Sequence, residues 1–80
     1  MGEKVFASAI NFAAVTPSDT TELKFNAIWI GGAGDVAVMA NPTATAVTFT
    51  GALAGTILPV SGTQIMSTNT TATNMVWLNW

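Results

Sequence analysis

From Val36 to Trp80 the sequence carries no charged side chain. That silence constrains the chain more than any motif in it. Strands in this stretch have no Lys or Glu with which to guard an exposed edge, and unguarded edges pair with whatever strand they meet. Solubility as a lone monomer rests on Thr, Ser and Asn alone. The apolar residues come as short runs cut by Gly, Pro and Asn, which is the pattern of strands and turns. Thr45–Thr50 alternates cleanly, with Val47 and Phe49 on one face and Thr48 and Thr50 on the other.

The runs Ala27–Ile30 and Val36–Met39 behave differently, being apolar on both faces. Ala27 and Trp29 point one way, Ile28 and Ile30 the other; a half-solvated strand alternates apolar with polar instead. The connector Gly31-Gly32-Ala33-Gly34-Asp35 offers the positive-φ positions of a reversal, so the two runs read as a hairpin. Its second face must be covered, and in a chain of 80 residues another subunit is the cover the sequence suggests.

The remaining strands fall at Ile10–Val15, Thr56–Val60, Thr63–Thr68 and Asn74–Trp80, with Pro59 marking an edge or a break. Thr16–Thr20 is a turn in which Ser18 and Asp19 can cap neighbouring amides. Six to seven short strands without a convincing helix predict an all-β fold: a small antiparallel β-sandwich or partly open, jelly-roll-like barrel. Residues 1–9 read as an N-terminal arm and residues 10–80 as one domain.

Composition excludes several function classes. The chain has no His and no Cys, so the usual general base, thiolate chemistry and the commonest zinc ligands are missing. Two lysines and no arginine give no basic patch for nucleic acid. No apolar run approaches the ~20 residues of a membrane-spanning helix. The glycine connector is followed by a strand, whereas phosphate binding needs a helix N-terminus. Asp19, Glu22 and Asp35 read as solvated turn residues rather than an acid–base pair or a calcium site. The prediction is a non-enzyme with no cofactor and no metal.

What remains is packing and assembly. Phe6, Ile28, Trp29, Ile30, Met75, Trp77 and Trp80 are the candidate contact residues toward a second copy or another protein. Terminal Trp80 suggests a plug into a neighbouring subunit. The rival reading is a glycan-binding platform, which requires coplanar exposed aromatics.

Four segments in order, Val15–Leu23 (VTPSDTTEL), Ile30–Val36 (IGGAGDV), Ala54–Val60 (AGTILPV) and Thr70–Asn74 (TTATN), resemble a family of short tailed-phage virion proteins. That family includes the spike-base proteins on the heads of gene transfer agents. The resemblance implies a β-rich protein on the outer surface of the head, seated on the major capsid protein as a decoration (cement) protein or as the base of a spike or fibre. It implies a homo-oligomer, a trimer by preference or else a pentamer, and no catalytic residues. The chain departs from the family after the ILPV segment, where Ser61-Gly62-Thr63-Gln64-Ile65 replaces basic residues. Docking through charge is the property that this departure weakens.

Overall fold

The computed structural model describes residues 9–80. Seven strands form: β1 (Asn11–Ala14), β2 (Ala27–Ile30), β3 (Gly34–Met39), β4 (Val47–Ala52), β5 (Thr56–Leu58), β6 (Gln64–Ile65) and β7 (Val76–Asn79). They build a four-stranded sheet of order β1-β7-β2-β5 and a three-stranded sheet of order β4-β3-β6. All pairs are antiparallel and no helix forms among the described residues, so the molecule is the expected small β-sandwich. Phe6 and most of the arm expected at residues 1–9 lie outside the described residues.

The core lies between the sheets. Phe25, Ile28 and Ile30 come from the β2 side, Val36, Val38 and Ile65 from the other sheet, and Ala72 and Met75 close the cluster. Each large side chain removed from water in this way contributes about 1.5–3 kcal/mol before conformational entropy is charged.

The expected hairpin of β2 with β3 does not form. The two strands belong to opposite sheets, and Gly31, Gly32 and Ala33 carry the chain across the sandwich. The glycines serve close approach rather than reversal, since the positive-φ glycines among the described residues are Gly51 and Gly55. A Cβ on Gly34 would stand 2.5 Å from the amide nitrogen of Ala72, and one on Gly31 or Gly32 would collide with Asn74 or Thr73. Against this bare backbone lies the segment 70–74. Gly32 and Thr73 exchange backbone hydrogen bonds of 2.7 and 3.1 Å, and the Asp35 carbonyl accepts from the amides of Thr71 and Ala72. The hydroxyls of Thr71 and Thr70 accept from the amides of Asp35 and Ala37. Two of the four family-like segments therefore meet as one clasp.

A third segment wraps the edge of β6. The Ser18 amide donates to the Ile65 carbonyl and the Leu23 amide to that of Thr63. Ser18 Oγ caps its own turn, accepting from the amides of Thr20 and Thr21. Asp19 stays exposed as expected, and it also bridges to a distant segment: Oδ1 accepts from the amides of Ser67 and Thr68, and Thr68 Oγ1 donates to Oδ2 at 2.6 Å. The reversal that does pair neighbouring strands is β3–β4, turned by Asn41 to Ala44.

Candidate interaction surface

Register decides which side chains share a face. Ala13, Trp77, Ile28 and Leu58 lie directly opposite one another across the four strands. Ile28 is fully buried, so this row faces the core, and Trp77 and Leu58 pack against it. The neighbouring rows lie on the opposite face: Phe12, Leu78 and Ala27 in one, where Ala27 is itself buried, and Ala14, Val76, Trp29 and Ile57 in the other. Ile10 extends the ladder through its amide to the Asn79 carbonyl and falls on the same side as Phe12 by alternation.

Every one of these outward residues is apolar. Ile10 is 74% exposed, Phe12 65%, Ile57 44% and Trp29 39%. Phe12, with Ile10 beside it, lies at the β1 edge, and Trp29 and Ile57 lie on β2 and β5, with β7 between the two pairs. The opposite side of the sandwich differs: β4 turns Thr48 and Thr50 outward, both exposed.

The predicted contact residues divide accordingly. Trp29 is on the outer face. Ile28, Ile30 and Met75 are buried in the chain's own core, where they join the two sheets. Both faces of β2 and β3 are apolar, and the chain itself covers much of the second one, since Ala27 and Ala37 are buried without another subunit. Trp77 is half-buried and inward. Trp80 is half-buried, its amide donating to Asn26 Oδ1, while Asn79 Nδ2 donates to the Lys24 carbonyl. The aromatics Trp29, Trp77, Trp80, Phe12, Phe25 and Phe49 do not form one exposed platform: Phe25 is buried and Phe49 half-buried. Ile10, Phe12 and Ile57, which the sequence reading did not name as contact residues, are exposed on the same face. Their signal was the partner register, which period-two alternation alone does not contain.

Electrostatics contribute little to this surface. Asp19 sits on the far side of the chain's turns as a staple, and the hydrogen bonds from the Thr68 side chain and backbone hold its carboxyl below the ordinary 3.8. Asp35 accepts from the Gly51 amide. Among the described residues no group of His, Cys, Asp and Glu is arranged to hold a metal ion.

The exposed side chains of this sheet face are apolar, and Asp19 and Asp35 accept hydrogen bonds from backbone amides. Searches of protein-family models and of curated proteins give no match. Among solved structures, the fold is similar to a chain of the capsid of a native gene transfer agent (GTA) particle computed with C5 symmetry. The TM-score is 0.80 at 30% sequence identity, with 96% of this chain and 90% of that chain covered. The chain belongs to the family of that capsid component and is a capsid-related structural protein.

Proposed function

We propose that the chain is a virion protein of the outer head surface of a tailed phage or gene transfer agent, seated on the major capsid protein through the outer face of its four-stranded sheet. The observation that carries the reading is that face: Phe12, Trp29 and Ile57 stand exposed on it with no polar residue among their strand neighbours. A flat face of this kind suits an apolar, uncharged patch on the shell, because a charged partner would lose hydration and gain no counter-charge. The threonines of β4 then point to solvent, as the exposed side of a head protein requires.

In this reading the chain reinforces the shell or seats a spike or fibre, in symmetric copies about a capsid axis. Trp29 lies in the shell contact, and Trp80 at its margin. The test is co-sedimentation of the purified chain with virion heads from which it has been removed. Saturable binding that survives raised salt supports the reading, because apolar contacts are not screened. Binding that disappears with salt, or none at all, overturns it.

A further inference from the structure

Between β1 and β2, residues 15–24 form no strand, yet they keep a fixed course along the edge of β6, the end strand of its sheet. The Ser18 amide donates to the Ile65 carbonyl at 2.9 Å and the Leu23 amide to the Thr63 carbonyl at 2.6 Å. Those carbonyls are the groups that a further strand would otherwise engage. The segment also gathers the charge of the molecule. Asp19, Glu22 and Lys24 all stand exposed on it, and the one other charged residue among residues 9–80 is Asp35. Charge placed at a sheet edge keeps strands of other chains from pairing there, and β6 has none of its own.

Little holds this segment down. Pro17, Ser18 and Leu23 are half-buried, and the rest of residues 16–24 is exposed. Its side-chain tie to the sandwich is Asp19, which accepts from the Ser67 and Thr68 amides at 2.9 and 3.0 Å and from the Thr68 hydroxyl at 2.6 Å. The two ends are firmer. The Val15 amide donates to the Met75 carbonyl, and Phe25 is buried and bridged to Gly62. A stretch with few buried apolar contacts between two anchored ends is the kind that opens locally, well below the cost of global unfolding.

We propose that residues 16–24 are a detachable, charge-bearing cover of the β6 edge, latched by the Asp19 carboxylate and opening as one unit while both sheets stay folded. Closed, it keeps the uncharged sheet from pairing edge to edge. Open, it bares the carbonyls of Thr63 and Ile65 to any strand in reach. The closed state also carries a cost of its own. Thr63 Oγ1 is buried without a hydrogen-bond partner, and opening beside it admits water, which offsets part of the bonds broken.

Residue-level amide hydrogen exchange on the full chain at neutral pH tests the cover. The amides of Ser18, Leu23, Ser67 and Thr68 are expected to share one opening free energy and to exchange faster than those of β2 and β3. Asp19→Ala speeds all four by a common factor, roughly threefold or more, although the Ser18 and Leu23 amides do not bond to Asp19. Thr68→Val removes the hydroxyl donor of the latch alone. It gives the same pattern at smaller size and guards against a defect peculiar to position 19. Acceleration confined to Ser67 and Thr68 overturns the cover as a unit. Exchange of Ser18 and Leu23 only as slow as that of β2 and β3 overturns it too, because the segment then opens only when the sandwich unfolds.

Discussion

Along β4 the outward side chains are Thr48 and Thr50; along β2 the outward one is Trp29, continued across the sheet by Val76, Leu78, Phe12 and Ile57. Both strands are uncharged and both obey the same two-residue period. One sheet has a face for water and the other does not. The difference teaches that burial on one side fixes the fold and leaves the second side free to be chosen for function. The exposed apolar side chains of that face are not explained by the chain's own core, and they are what the proposed shell contact uses.

The sharpest way to break this comparison is at the buried Ile28 of β2. Ile28→Ala removes a fully buried side chain from between the sheets and costs about 2–5 kcal/mol, enough to unfold much of a domain this size. Chemical denaturation followed by tryptophan fluorescence measures it. Gly34→Ala tests the clasp rather than the faces: the added Cβ meets the backbone at Ala72, where nothing flexible can give way. A loss of about 1–3 kcal/mol is expected, seen as a Tm lowered by roughly 4–8 °C per kcal/mol.

Phe12→Ser, on the outer face, changes stability by no more than about 0.5 kcal/mol by the same denaturation assay. It nevertheless weakens binding to heads at least tenfold. The smallest effect is that of Asp19. Its carboxyl titrates below 3.8 in the folded chain, so its contribution is present above that pH and is lost as the pH falls through the folded value. Asp19→Asn removes that acid-side component from the Tm-against-pH curve and lowers Tm slightly at neutral pH.

The sequence made strand positions legible because alternation and turn residues mark them directly. Ile28 and Trp29 were rightly set on opposite faces, and Pro59 rightly ends β5. Pairing was not legible. Three glycines between two apolar runs satisfy a hairpin and a crossover equally, and only the approach of Asn74, Thr73 and Ala72 decides between them. β4 runs two residues beyond the expected end because Gly51, a breaker by composition, continues the strand at positive φ. The exposed apolar face was half legible. Apolarity on both faces of β2 announced an extra surface, but not which face lies inside, so Ile28 and Ile30 were named beside Trp29. Asp19 was read as a local cap because its partners, Ser67 and Thr68, are 48 and 49 residues away.

Hydroxyl-radical footprinting of the chain, free and bound to heads, tests the central claim most directly. Phe12, Trp29 and Ile57 become protected on binding, while Met39, on the other sheet, keeps its reactivity. Protection of Met39 with Phe12 and Trp29 unchanged would contradict the account, because the shell would then contact the threonine-bearing side.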